Sequence, residues 1–175
     1  MRLVIFFYNK SPSFFLVIFF ILKLIMEEAI FGAGCFWGVE TKFGKVEGVI
    51  ETEVGYTGGT TNNPTYKDVC TNDTGHAEVV KVTFDPSIVS YEELLEIFWD
   101  IHNPTTLNRQ GWDVGTQYRS AVFYSNEEQR LSAKKLKEKL ERSEKFKRPI
   151  VTEIVPATEY YKAEEYHQKY NEKNR

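Results

Sequence analysis

The chain has 175 residues, a length that supports one domain with its own core. Its formal net charge is −3, and the basic residues are spread along the chain, so nucleic acid is not expected as a partner. The two cysteines are too few for a disulfide framework and lack zinc-binding spacing, and the three histidines add no metal-ligand pattern. We therefore expect no metal and no other cofactor, and a reducing, cytoplasmic setting.

The first 25 residues differ from the rest of the chain. Apolar runs at residues 3–8 and 14–22 are broken by a polar segment and then by Lys23. The longer run is well short of the roughly 20 residues that span a membrane. We interpret residues 1–25 as the product of a misplaced start codon ahead of Met26, the alternative being a membrane tether if the segment is retained. Residues 26–175 are predicted to form a single domain.

Periodicity predicts alternating strands and helices after residue 26. In chain order these are a strand at 28–31, a helix to residue 45, strands 48–56 and 76–84, a helix after Ser90, strand 119–124, helix 127–144, strand 150–155 and helix 161–173. Ser90 and Glu93 have the spacing of a capping box. The helix 127–144 is predicted to be solvated, with an inner face formed by Leu131, Leu136 and Leu140. The order β-α-β-β-α-β predicts a ferredoxin-like α+β sandwich with a C-terminal extension.

A cysteine lies where the first strand gives way to the first helix, within the segment Gly-Cys-Phe-Trp-Gly at residues 34–38. Free amide groups and the helix dipole favour a thiolate at this position, so the pattern predicts a lowered pKa and a reactive sulfur for Cys35. The aromatic rings of Phe36 and Trp37 suit a small apolar group such as a methyl. The alternative is a structural cysteine buried in an aromatic core.

Four other residues are candidates to assist the thiol. Alternation along strand 76–84 places Glu78 on the face of Val80; on the inner face it is a proton donor with a raised pKa, and on the outer face an ordinary acid, and the pattern leaves both open. Tyr66 and Tyr118 offer hydroxyl donors from loops. Asp113 either orients a donor or caps a turn. It lies in the segment 103–117, whose length as a loop is typical of a functional one.

Five motifs, taken together, resemble the A type of peptide methionine sulfoxide reductase: residues 34–38, 55–59, 63–66, 74–78, and 108–111 with 115–120. The resemblance extends over about residues 27–169. It implies reduction of methionine S-sulfoxide, free and in oxidised proteins, through a cysteine sulfenic acid, with thioredoxin or another thiol as reductant. The implied site has a nucleophile, Cys35; an acid, Glu78; two ligands of the sulfoxide oxygen, Tyr66 and Tyr118; a supporting carboxylate, Asp113; and a methyl cage, Phe36 and Trp37.

Regeneration of the nucleophile is where the chain departs from many members of that family. They use a cysteine in the C-terminal tail, whereas this sequence has none after Cys70. Cys70 follows Tyr66 by four residues, so on a helical turn the two side chains point to similar sides. One hypothesis is that Cys70 resolves the sulfenic acid as a disulfide; the alternative is direct attack by an external thiol.

Two other classes of protein compete with this interpretation. A papain-like hydrolase would pair Cys35 with His76 or His102, and Asn103 would orient the histidine. A non-catalytic protein would use the aromatic, glycine-rich surface to dock peptides, and its cysteine would be incidental. The number of matched segments favours the reductase over both.

Overall fold

The computed structural model describes residues 26–174. The prediction made for residues 1–25 therefore lies outside the described residues. Between residues 26 and 174, none of the helices combines the length and the hydropathy of a membrane-spanning segment.

Strands and helices alternate along the described part of the chain. Their bounds are β1 Glu27–Ala33, α1 Phe36–Phe43, β2 Val49–Thr57, α2 Tyr66–Val69, β3 Ala77–Phe84, α3 Tyr91–Ile101, β4 Arg109–Gln110, β5 Asp113–Val114, β6 Ser120–Tyr124, α4 Glu127–Arg142, β7 Glu153–Pro156, β8 Tyr161–Lys162 and α5 Tyr170–Lys173. A 3₁₀ turn, Thr116–Tyr118, precedes β6. The segment predicted as a long loop thus contains a small hairpin, β4–β5, and this turn.

The main sheet has the strand order β7-β6-β1-β3-β2-β8. Its four central strands are antiparallel neighbours, with β1 between β6 and β3, and β3 between β1 and β2. This is the arrangement of a split β-α-β sandwich, so the predicted ferredoxin-like α+β fold is confirmed. Strand β7 adds in parallel to β6, and β8 adds antiparallel to β2, which extends the sheet at both edges.

The two faces of the sheet are covered by different parts of the chain. One face packs on the helices and forms the larger core, which includes Phe31, Val80 and Val122. The opposite face forms a smaller cluster that includes Val79 and is covered by the chain around Tyr160. Because side chains alternate along β3, Glu78 lies on the helix face beside Val80 and is 1% exposed. The question that the sequence left open about Glu78 is decided in favour of the inner face.

Helices α3 and α4 show which features of the local sequence were enough to predict a helix start or a buried face. The capping box is present at the start of α3, where Ser90 accepts from the amide of Glu93 and the Glu93 carboxylate accepts in return. In α4 the predicted inner face is right for Leu136 and Leu140, which pack against the core, and wrong for Leu131, which is 55% exposed. The buried stripe begins at Gln129 and continues through Ala133 at helical spacing, and residue 131 falls on the opposite side.

The predicted terminal helix 161–173 is wrong. Tyr161 and Lys162 form strand β8 on the edge of β2, and only Tyr170–Lys173 is helical. The side-chain amide of Gln168 accepts from the Val54 amide and donates to the Val54 carbonyl, both at 2.9 Å. Gln168 thus makes two hydrogen bonds with the edge of β2 of the kind that the backbone of a neighbouring strand would make. Tertiary hydrogen bonds of this kind override a helical pattern in a polar segment.

Candidate active site

The turn from β1 into α1 places Cys35 at the N-cap of the helix. Gly34 adopts φ 91°, in the region that favours glycine, and a Cβ there would lie 2.6 Å from Cγ of Gln110. The Gln110 side chain is fixed in turn, because its amide accepts from the backbone N–H of Asn103 and donates to the Asn103 carbonyl. The close approach at Gly34 therefore allows the β4–β5 hairpin to pack against the turn between β1 and α1 that carries Cys35.

Cys35 is a thiol at neutral pH in the resting protein. Burial, followed by the negative charge of Glu78, raises the pKa of Cys35 to about 11, although the amides of Trp37 and Gly38 act in the opposite direction. The prediction of a lowered pKa was therefore wrong. The helix terminus does favour the thiolate, but desolvation of the sulfur outweighs it.

Glu78 is the buried acid of the site. Its Oε2 accepts from the Phe36 amide at 3.1 Å, which holds the carboxyl against the residue that follows the cysteine. Burial raises the pKa of Glu78 to about 8, and the nearby charge of Asp113 adds to the rise. At neutral pH the carboxyl is largely protonated and able to donate.

The two predicted phenols lie within electrostatic reach of this pair. Tyr118 ends the 3₁₀ turn, and its pKa is raised to about 12, first by burial and then by the charges of Glu78, Cys70 and Cys35. Tyr66 begins α2, and burial, followed by the influence of Cys70, raises its pKa. Both phenols therefore keep their protons at neutral pH and are able to donate.

The remaining predicted residues lie at the edge of the site. Asp113 is exposed on β5, yet its charge reaches Cys35, Glu78 and Tyr118. Cys70 is exposed at the end of α2, and both cysteines are free thiols. A cleft of about 220 Å³ lies beside Cys35 between α1 and the end of α3, and neither Glu78 nor the aromatic rings of α1 line it. Among the described residues, no group of acidic, histidine and cysteine side chains has an arrangement suited to a metal ion.

An aromatic cluster adjoins the thiol on α1. Phe36 is buried, Trp37 is half-buried, and their ring centroids are 6.4 Å apart. Tyr56 packs against Phe36 at 6.0 Å, and Tyr170 stacks on Trp37 at 3.8 Å. His167 lies between these rings, 5.2 Å from the ring of Phe36. The predicted aromatic pair is thus backed by residues from β2 and from the C-terminal segment.

Sequence reasoning missed the residues that hold this cluster in place. Glu164 accepts from the Tyr56 hydroxyl at 3.0 Å and from the Tyr66 amide at 2.9 Å, so one carboxylate joins β2 to α2. Tyr56 lies in the segment 55–59, which resembles the reductase family, so its place in the site could have been inferred from that resemblance. Glu164 and His167 lie in the segment that was assigned to a helix, and nothing in the local pattern shows that they turn inward.

The two histidines required by the hydrolase alternative are engaged elsewhere. His76 accepts from the Gly59 amide through Nδ1, and its Nε2 bonds the Thr61 carbonyl. His102 bonds the Phe98 carbonyl and the Ser120 hydroxyl through its two ring nitrogens, and burial lowers its pKa to about 4. Neither imidazole has a free nitrogen for Cys35, so a cysteine–histidine pair is not formed.

Known proteins resemble this chain in sequence and in fold. A family model described as peptide methionine sulfoxide reductase matches residues 27–175. The peptide methionine sulfoxide reductase MsrA of Methanothermobacter thermautotrophicus is 63% identical over 148 residues, covering 85% of this chain and 88% of the relative. The crystal structure of Mxr1 from Saccharomyces cerevisiae in reduced form is 36% identical, with a TM-score of 0.81 over 86% of this chain and 87% of that one.

A second structure of the yeast protein, in complex with Trx2, shares the fold, with 22% identity and a TM-score of 0.59 over 93% of this chain and 89% of that chain. The matched regions include every strand and helix described above. The activity named for these relatives is the reduction of peptide methionine sulfoxide. On these grounds, the chain belongs to the peptide methionine sulfoxide reductase family.

Proposed function

We propose that Cys35 reduces methionine S-sulfoxide by direct attack of its sulfur on the sulfoxide sulfur. The observation on which this rests is a single site that combines a thiol, a buried carboxyl protonated at neutral pH and two phenols. A sulfoxide sulfur becomes a good electrophile when its oxygen receives a proton or strong hydrogen bonds. Glu78, Tyr66 and Tyr118 supply those donors.

The reaction balances within this set of groups. The oxygen leaves the sulfoxide for the cysteine sulfur, so a thiol and a sulfoxide become a sulfenic acid and methionine. Glu78 donates its proton to the sulfoxide oxygen, and the resulting carboxylate recovers the proton of Cys35. The raised pKa of Cys35 suits this order of events, because the thiol keeps its proton until a substrate is present to accept one. The sulfenic acid is the first, reversible state of cysteine oxidation.

Selectivity follows from the groups around the sulfur. The rings of Phe36 and Trp37 provide an apolar pocket for the methyl group. A pyramidal sulfur whose methyl, oxygen and line of attack are all fixed admits one epimer, and the family resemblance implies that it is the S form. Asp113 supports the acid, because its charge raises the pKa of Glu78 and so favours the protonated carboxyl.

Two routes lead from the sulfenic acid back to the thiol. In one, Cys70 forms a disulfide with Cys35; the influence of Cys70 on the pKa values of both Tyr66 and Tyr118 supports its nearness to the site. In the other, an external thiol attacks the sulfenic acid directly. Thioredoxin is the proposed reductant for either product, and the complex of the yeast relative Mxr1 with Trx2 supports it. The free thiols also fit the reducing cytoplasm that we propose for this protein.

Intact-mass analysis tests the chemistry and separates the routes. Reduced wild type and Cys70→Ser are mixed with methionine S-sulfoxide without a reductant, with Cys35→Ser as the control. An internal disulfide in the wild type and a sulfenic acid in Cys70→Ser would establish Cys70 as the resolving thiol; a sulfenic acid in both would establish the external route. Methionine release by Cys35→Ser would refute the proposed nucleophile.

The acid is tested separately. We expect Glu78→Gln to slow the formation of methionine by at least about 100-fold while substrate binding is retained, since the amide can still accept from Phe36. Turnover near that of the wild type would refute the acid role of Glu78.

A further inference from the structure

His167 is a buried imidazole in contact with three of the rings to which the proposed function assigns the substrate. Its Nδ1 accepts from the indole Nε1–H of Trp37 at 3.1 Å. Its ring lies 5.2 Å from that of Phe36 and 4.5 Å from that of Tyr66. One side chain from the C-terminal segment therefore connects the methyl pocket to a ligand of the sulfoxide oxygen.

The hydrogen bond fixes the state of the ring. Since Nδ1 accepts from the indole, the proton of the neutral imidazole is on Nε2, and burial lowers the pKa of His167, which favours this neutral form. The side chain is 1% exposed, and within residues 26–174 its Nε2 has no hydrogen-bond partner; the nearest carboxylate oxygen there, on Glu164, is 3.9 Å away. A buried donor without a partner is unfavourable.

A histidine that served only to fill the core would be a poor solution at this position. Phenylalanine has a similar ring and leaves no donor unsatisfied. What phenylalanine lacks is an acceptor for the indole N–H of Trp37, which sits at the front of the pocket and is otherwise held by stacking on Tyr170. The unsatisfied Nε2–H is therefore explained if the acceptor on the other side of the ring is what the site requires.

We propose that His167 is a positioning residue that fixes the rings of Trp37, Phe36 and Tyr66, and thereby sets the size of the methyl pocket. The inference rests on the proposed function, in which Phe36 and Trp37 hold the substrate methyl. With the acceptor present, the indole has one orientation and the pocket fits a methyl group. Without it, stacking on Tyr170 still holds the plane of the indole but no hydrogen bond fixes its orientation within that plane, and the pocket admits a larger alkyl group.

The test compares two substrates that differ by one methylene, methionine S-sulfoxide and ethionine S-sulfoxide. One methylene in an apolar pocket changes kcat/KM by about tenfold or more, so we expect the wild type to prefer the methyl substrate by about that factor. In His167→Phe we expect the preference to fall to within about twofold, with a higher KM for methionine S-sulfoxide and a smaller change in kcat. In His167→Asn, whose side-chain oxygen can take the place of Nδ1, the preference should be largely restored. An unchanged preference in His167→Phe would overturn the proposal.

Two controls separate this outcome from other failures. Val82→Ala truncates the core four residues along β3 from Glu78 and lowers stability without touching the pocket, so its methyl preference should equal that of the wild type. Turnover by Cys35→Ser would show that the proposed function itself is wrong, whereas an inactive Cys35→Ser together with an unchanged preference in His167→Phe contradicts the role of His167 alone.

A measurement on the wild type keeps the proposal testable if His167→Phe does not fold. The indole N–H of Trp37 should exchange with solvent far more slowly than that of Trp112, which is 95% exposed. Nitrogen-resolved NMR distinguishes the three indoles of the chain. Equal exchange rates for Trp37 and Trp112 would overturn the proposal, because the bond to His167 would then not hold the indole.

Discussion

The substitution Glu78→Gln should make the protein more stable at high pH at the same time as it removes the proposed acid. Glu78 is buried on the helix face of the sheet, where its carboxylate accepts one hydrogen bond, from Phe36, and among the described residues faces no cation that forms an ion pair with it. Ionisation in such a place is unfavourable. Glutamine has nearly the same shape and stays neutral, so it does not lose stability in this way.

The size of the effect follows from the pKa of Glu78. Burial raises it from 4.5 to about 8, so the folded protein holds the proton more tightly than the unfolded chain does. The resulting stabilisation is complete below pH 4.5 and is lost as the pH rises towards 8, at about 1.4 kcal/mol per pH unit. Full ionisation therefore lowers the free energy of unfolding by roughly 5 kcal/mol, as an upper limit, because water entering the site would reduce the penalty.

Urea unfolding at pH 5.0 and pH 8.5 measures this directly. We expect the stability of the wild type to fall by several kcal/mol more than that of Glu78→Gln between the two pH values. Glu51→Gln, on the exposed part of neighbouring strand β2, is the matched control and should follow the wild type. All other titratable groups are the same in the wild type and in Glu78→Gln, so the difference between their losses of stability reports the ionisation of Glu78. Equal losses in the wild type and Glu78→Gln would refute a raised pKa at this position.

Three further predictions use other parts of the structure. Iodoacetamide at pH 7, followed by peptide mapping, should label the exposed Cys70 well before Cys35, whose raised pKa keeps it protonated; faster labelling of Cys35 would contradict that protonation state. Gly34→Ala should destabilise by about 1–3 kcal/mol in thermal unfolding, whereas Gly38→Ala, in open space within α1, should be neutral or stabilising; equal effects would contradict the strain. Gln168→Ala should cost about 1–3 kcal/mol by leaving the Val54 N–H of β2 without its acceptor, whereas the Val54 carbonyl still accepts from the Ala163 amide; urea unfolding with no change would show that water replaces the side-chain amide.

The parts of the fold that could be predicted are those specified by local chemistry. The capping box at Ser90 and the alternation along β3 use side chains within a few residues of each other, and both patterns are present in the structure. The buried stripe of α4 was predicted only in part, because Leu131 matches the hydrophobic composition of the stripe but not its register. The terminal segment failed because its conformation depends on β2, more than 100 residues away along the chain.

The site shows the same division between local and distant information. Cys35 and the two aromatic rings after it are adjacent in sequence, so their proximity required no knowledge of the fold. The burial of Glu78 followed from alternation only after the inner face was known. The positions of Glu164 and His167 depend on how the C-terminal segment folds back over β2 and α1, and a single sequence carries no local signal for that.

The incorrect prediction for Cys35 shows how the two reacting groups depend on each other. Burial raises the pKa of the thiol and of the Glu78 carboxyl together, so the resting site holds both protons at neutral pH. A permanently ionised thiolate would be open to oxidants and alkylating agents at all times. In the proposed reaction, a protonated thiol beside a protonated acid has little reactivity until a sulfoxide oxygen accepts the proton of Glu78, and the carboxylate formed at that moment is the base that takes the proton from Cys35. Burial outweighs the effect of the helix terminus on the pKa of Cys35. In the proposed reaction, the same burial makes the reactivity of the thiol depend on the presence of its substrate.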